Sequence, residues 1–266
     1  MHIDIDVSLD PTLGCGQAHR WKKDGDSWKG VIDGKVLMLT QDDCGFEYMG
    51  DLCKTRIQDY FRIQDDLNEI IADISKRDPY VACLSENCQG LRILKQDGWE
   101  CLATYLLATN ANVKRIGAMV ESVCRIAGDD LGGFHSFPTP GQILNHVDDI
   151  PSCKLGFREG RFIELAEKTE NNEIDIDAFS EMDYRCCVNE LMKINGVGPK
   201  VADCVALFAF DHLDAFPVDA RIANRLKDRY GVEGSYKIMS EFGRNKFGQY
   251  AGYAQEFLYH SDYINV

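Results

Sequence analysis

The chain has 266 residues, 45% hydrophobic and 27% charged, an ordinary globular balance with length enough for two cores. No apolar run approaches the roughly 20 residues of a membrane span, and Met1-His2-Ile3-Asp4 lacks the basic start and apolar core of a signal peptide, so the chain reads as cytoplasmic with no membrane partner. The net charge of -14 argues against a broadly basic nucleic-acid surface, although a binding face is local and the sum is global.

The 11 cysteines are odd in number and contain no CxxC pair, which weighs against both a disulfide framework and a zinc site. Cys83 and Cys88 are five apart, and Cys186 and Cys187 are adjacent. No cysteine follows Cys204, so no C-terminal iron–sulfur loop is expected. The thiols read as reduced and mostly buried.

The first part of the chain reads as strands. Trp28 to Ile32 leads into Asp33-Gly34, a two-residue hairpin signal, and Lys35 to Thr40 returns. Phe46 to Met49 alternates as a third strand. From Asp59 to Ile74 the apolar residues Phe61, Ile63, Leu67, Ile70, Ile71 and Ile74 fall near helical spacing, which predicts one helix. From Gly98 onward the pattern is almost wholly helical: Trp99 to Leu107, Val113 to Ile126, a helix opened by Thr139-Pro140, Arg161 to Glu170, and Glu181 to Ile194. Gly128 to Pro140 is the loop candidate. The expected class is α+β, with an antiparallel sheet domain over 1–97 and a helical helix–hairpin–helix domain over 98–266.

The most informative segment is Leu191 to Cys204. A helical run ends at Ile194, a turn carries Gly196-Val197-Gly198, and Pro199 opens the next helix at its first position. Hairpin amides and a helix N-terminus pointing together form an anion site, where a DNA phosphate fits without a basic side chain. Lys200 sits in the first turn. The positive pole there opposes an ammonium, the setting a nucleophilic amine needs. Asp219, in Phe216-Pro217-Val218-Asp219, heads a further helical stretch over Ala220 to Lys227 and reads equally as an N-cap.

These segments resemble the helix–hairpin–helix base-excision glycosylases, and within them the eukaryotic-type 8-oxoguanine DNA glycosylase/AP lyases and their prokaryotic relatives. The resemblance implies that Lys200 displaces the base and Asp219 is the catalytic aspartate. It implies that Cys204 and Tyr259 stack on the two faces of the flipped base, and that Gln255 reads its Watson–Crick edge beside Pro217. In Gly16-Gln17-Ala18-His19-Arg20-Trp21, the Gly16 carbonyl would accept the N7 hydrogen that oxidised guanine has and guanine lacks. Asn110, Arg115 and Arg158 would contact the orphaned cytosine, and Phe157 would wedge into the stack. Gly196, Val197, Gly198 and Arg221 would meet phosphates. Arg221 stands where a histidine is common, and Ala111 interrupts a triplet usually rich in asparagine.

The implied partner is duplex DNA carrying an oxidised purine, met by a monomer. No cofactor is required, and hairpin carbonyls could hold a monovalent cation bridging to phosphate. A glycosylase for another damaged or mismatched base and a non-catalytic DNA-binding module are the competing readings. Lys200 weighs against the first and its pairing with Asp219 against the second.

Overall fold

The computed structural model describes residues 1–260, so the last six residues of the expected C-terminal domain lie outside the described residues. Strand β1 (His2–Asp4) leads to α1 (Leu9–Gly14), then β2 (Lys22–Asp24), β3 (Ser27–Ile32), β4 (Lys35–Asp42) and β5 (Gly45–Met49). The five strands form one antiparallel sheet in the order β1-β5-β4-β3-β2. Its register follows from the predicted hairpin. Asp33 and Gly34 both take positive φ, 49° and 69°, the twist a two-residue turn needs, and Ile32 therefore pairs with Lys35. Leu37, Leu39, Phe46 and Tyr48 then point to the buried face.

The predicted helix from Asp59 to Ile74 is two helices, α2 (Lys54–Tyr60) and α3 (Leu67–Arg77). Periodicity could not show the break, because both pieces bury apolar residues at compatible spacing. The cause is Arg62, which adopts φ 50° and turns its guanidinium to Asp65 and Asp211. Asp66 then caps α3 by accepting from the amides of Asn68 and Glu69.

Helices α4 (Pro79–Asn87), α5 (Gly98–Leu107), α6 (Val113–Ala127), α7 (Pro140–Asn145) and α8 (Glu159–Glu170) follow. The predicted capping at Thr139 is a full capping box with Gln142. Then come α9 (Tyr184–Leu191), α10 (Pro199–Ala209), α11 (Ala220–Tyr230), α12 (Tyr236–Phe247) and α13 (Ala251–His260). The buried apolar side chains form two clusters. One lies under the sheet and extends to Tyr60, Phe61 and Leu94. The other takes its first members from α3 and α4 and is centred on α5 and α10. Among the described residues, no helix is long and apolar enough to cross a membrane.

Helix α10 is buried from Val201 through Ala209, and that run includes a carboxylate, Asp203, at 1% exposure. It accepts hydrogen bonds from Tyr184 Oη at 2.6 Å, Tyr236 Oη at 2.5 Å and Ser240 Oγ at 3.0 Å. Burial pushes its carboxyl up while the three hydroxyl donors pull the other way. One side chain thus ties α10 to α9 and α12. Replacing it with alanine strands buried hydroxyls and opens a void. Asp203→Ala is expected to cost about 3–5 kcal/mol, because several buried polar groups lose their partner together. Urea unfolding measures it, and a loss under about 1 kcal/mol, the worth of one ordinary hydrogen bond, would refute the hub.

A half-buried acid carries a pH dependence. Glu100, in the first turn of α5, faces Arg20, yet burial outweighs that charge and pushes its carboxyl up to about 7. A folded-state value above the ordinary one means that the native chain holds an extra proton between roughly pH 4.5 and 7. Stability contributed by this group is present below that window and is lost as pH rises through it. The thermal midpoint of Glu100→Gln should fall less than wild type between pH 5 and 8; parallel curves would count against this account.

Candidate active site

The chemistry-bearing segment is built from local rules. Helix α9 ends at Leu191, and the Val197 amide donates to the Ile194 carbonyl at 3.0 Å, closing the turn. Gly196 takes φ 91°, and a Cβ there would lie 2.6 Å from Arg161 Cδ, so glycine is demanded twice over. Gly198 is the extended N-cap of α10, with Pro199 at the first helical position. Val197 buries its side chain in the core, so only its backbone faces outward chemistry.

Lys200 and Cys204 stand four residues apart on α10 and share one face. The Lys200 ammonium lies 5.6 Å from the centroid of the Tyr105 ring. Both residues open onto a cavity of about 300 Å³, within the range of small-ligand sites. Its other walls come from distant parts of the chain. The loop after α1 contributes Gly16 and His19. The approach to α11 contributes Pro217, Asp219 and Arg221, and α13 contributes Gln255 and Tyr259. The catalytic and base-contacting residues predicted from sequence therefore all line one cavity. Arg221 joins them, its guanidinium 5.2 Å from the Tyr259 ring centroid.

Asp219 is the N-cap of α11, as its position suggested, with its carboxylate accepting from the Ile222 amide at 2.9 Å. It also lines the cavity, so cap and cavity wall are one side chain. The loop carrying Gly16 is held by Gln17. Its amide nitrogen donates to the Thr12 and Arg92 carbonyls at 2.9 and 2.8 Å, and its side-chain oxygen accepts from the Leu94 amide at 2.8 Å. Its backbone carbonyl accepts from Gln96 and Tyr105. These bonds fix where the Gly16 carbonyl can point.

The sequence reading assigned no role to three further cavity residues. Glu256 is buried beside the Cys15 thiol, and burial pushes its carboxyl up to about 7. His19 is pushed down to about 4 by burial and then by the Lys200 charge. Tyr105 supplies the floor under Lys200. Glu256 was hidden by sharing a wholly apolar-looking helix with Gln255, and only helix-to-helix packing brings it here. Gln255 Oε1 and Glu256 Oε2 have no hydrogen-bond partner among the described residues, so this wall keeps hydrogen-bonding capacity in reserve. The Cys204 thiol is pushed up to about 12 by burial, which leaves it neutral near pH 7.

Of the remaining predicted residues, Asn110, Arg115 and Phe157 are exposed, whereas Arg158 is buried. Phe157 stands 55% exposed on a 3-10 turn, Gly156–Arg158, with the Arg158 and Arg161 guanidiniums 4.3 and 5.6 Å from its ring centroid. Arg161 also packs against Gly196, so this surface adjoins the hairpin. Arg158 is buried and spends its guanidinium on the backbone carbonyls of Thr109, Leu155 and Asn110. It shapes the Asn110 turn, where φ is 53°. A larger cleft of about 1270 Å³ opens beside Tyr184, Tyr236 and Arg244, but it holds none of the predicted residues. Among the described residues, no group of three His, Cys, Asp or Glu side chains could hold a metal ion.

Comparison with known proteins identifies the family. Residues 3–102 match the family model described as 8-oxoguanine DNA glycosylase, N-terminal domain. The chain is 32% identical to the N-glycosylase/DNA lyase OGG1 of Arabidopsis thaliana over 97% of this chain and 77% of that protein. It is 30% identical to the N-glycosylase/DNA lyase of Saccharomyces cerevisiae over 82% of this chain and 68% of that one. The Clostridium acetobutylicum 8-oxoguanine glycosylase/lyase, solved with double-stranded DNA containing cytosine opposite 8-oxoguanine, superposes with a TM-score of 0.91 at 28% identity, covering 98% of this chain and 93% of that one. With two curated relatives matched at or above 30% identity over most of both chains, this chain belongs to the 8-oxoguanine DNA glycosylase family of N-glycosylase/DNA lyases.

Proposed function

We propose that the chain excises 8-oxoguanine from duplex DNA, opposite cytosine, and then cleaves the strand, with Lys200 as nucleophile and Asp219 as its electrostatic partner. One observation carries the assignment of residues: Lys200 and Asp219, 19 positions apart, line one cavity of about 300 Å³ with Gln255 and Glu256, each of which keeps a side-chain oxygen without a hydrogen-bond partner among the described residues.

A base inside a duplex cannot reach that cavity, so the nucleotide is extruded at a cost of a few kcal/mol. Phe157, exposed and backed by two guanidiniums, fills the gap left in the stack and offsets part of that cost. Asn110 and Arg115 meet the unpaired cytosine, and Arg158 acts through the Asn110 backbone that it holds. Phosphates rest on the amides of Gly196, Val197 and Gly198 and on Arg221. Hairpin carbonyls give a monovalent cation a place to bridge to phosphate. The enzyme works as a cytoplasmic monomer, associated with the nucleoid when bound.

Inside the cavity the purine lies between Cys204 and Tyr259, with Gln255 and Pro217 at its edge. Stacking is blind to one hydrogen. The Gly16 carbonyl is not: facing guanine it stays unpaired, a difference of roughly 1–3 kcal/mol. Lys200 attacks C1′ and the bond to the base breaks. Asp219 stabilises the positive charge that develops on the sugar. The C1′–O4′ bond of the sugar ring then opens, the nitrogen lone pair forming the C1′ Schiff base while O4′ takes a proton, and β-elimination of the 3′ phosphate cuts the strand.

Lys200→Gln should abolish both base release and nicking of an 8-oxoguanine:cytosine duplex. Borohydride should trap the wild-type protein on that duplex, and no covalent adduct would remove the lysine mechanism. Asp219→Asn should slow single-turnover base release by roughly 10²–10³-fold, the scale of losing one preorganised electrostatic group, while leaving DNA affinity in place. Unchanged turnover in that variant would sink the role given to the carboxylate.

A further inference from the structure

Strand cleavage needs a group that the foregoing scheme leaves unnamed, one that accepts the proton from C2′ of the Schiff base. The cavity's carboxylates, thiols and the Tyr105 hydroxyl can each be asked whether they are free to do so. Asp219 has one carboxylate oxygen committed to the Ile222 amide and faces the sugar as a charge partner. Glu256 has its Oε2 sealed inside the wall, against Cys15. The Tyr105 hydroxyl donates to the Gln17 carbonyl at 3.1 Å. The Cys15 and Cys204 thiols are both pushed up by burial and hold their protons.

His19 differs from all of these. Its half-buried ring lines the cavity together with Lys200 and hydrogen-bonds to no described residue. It stands edge-on to Tyr105, with ring centroids 6.4 Å apart, and Tyr105 is the same ring that lies beneath the Lys200 amine at 5.6 Å. An adduct on Lys200 therefore grows from one side of Tyr105 while an unengaged imidazole waits at its edge. His19 is fixed there because Gln17, two residues earlier, is bonded on both its side chain and its carbonyl.

We propose that His19 is a catalytic residue of the strand-cleaving step, taking the C2′ proton from the sugar bound to Lys200. This rests on the lysine reading above. The electrons balance as follows. The C2′–H bond breaks, its proton goes to an imidazole nitrogen, and its electron pair forms the C1′–C2′ double bond as the iminium collapses to an enamine. The enamine pair then moves to C2′–C3′, the C1′ iminium re-forms, and the C3′–O3′ bond breaks with its electrons leaving on the phosphate. Burial and the Lys200 charge keep the imidazole neutral, at about 4, so it is in the accepting form throughout the working range. Bound DNA opposes that shift, because phosphate charge favours the imidazolium and strengthens the base.

The test separates the two steps on an 8-oxoguanine:cytosine duplex. In His19→Phe and His19→Ala, the ratio of nicking to base release should fall by about 10²-fold, the lower range of general base catalysis. The borohydride-trapped adduct should still form and should accumulate. Added imidazole should restore nicking in His19→Ala, where there is room for it, and not in His19→Phe. An unchanged ratio in both variants would overturn the proposal and assign the proton to an acceptor other than His19. Loss of the trapped adduct together with base release would place His19 in the first step and overturn it equally. Failure to trap wild type at all would instead strike the lysine reading on which the proposal stands.

Discussion

The buried Asp203 carboxylate is the constraint from which the site follows. Three residues beyond Lys200, it receives hydroxyls from α9 and from α12 at two successive positions of one face. A carboxylate at 1% exposure tolerates little displacement, since any lost donor leaves charge uncompensated in a poorly polarisable interior. The start of α10 is therefore held against the helix before the hairpin and a helix well after it. Lys200 inherits that rigidity. A side chain on a rigid helix start keeps its place with little reorganisation.

Around that fixed point the fold divides its labour. The side chains proposed to meet a flipped base converge on the cavity, while Phe157, proposed as the wedge, stands exposed near the hairpin. Arg161 links the two, packing on Gly196 and reaching over the Phe157 ring. The net charge of -14 is reconciled in the same way. The hairpin offers backbone amides in place of a basic patch, and Phe157 is surrounded by arginines. Binding that rests on so few cations should be modest, and it is local geometry more than global charge that admits a polyanion.

The cavity is also electrostatically uneven. Glu256 and His19 are both displaced from their ordinary values by the same burial, in opposite directions, since desolvation disfavours whichever form carries charge. The result is a wall that tends toward neutrality around one amine and one carboxylate.

Features governed by neighbours in the chain were legible from sequence. The Asp33-Gly34 hairpin, the Thr139-Pro140 helix start, the Gly196–Pro199 turn and the Asp219 cap depend on φ preference and on orphan amides within a few residues, so residue order alone determined them. Resemblance extended this to a set of cavity residues. Tertiary packing decided the rest. The break at Arg62 depends on Asp211, 149 residues away. Arg158 turns inward because the Thr109 and Asn110 carbonyls lie beneath it. His19 and Glu256 come to share one space with Lys200 only when the loop after α1, the α10 start and α13 pack together. Those relations cross long stretches of chain, where hydrophobic pattern records that a face is buried but not which face meets it.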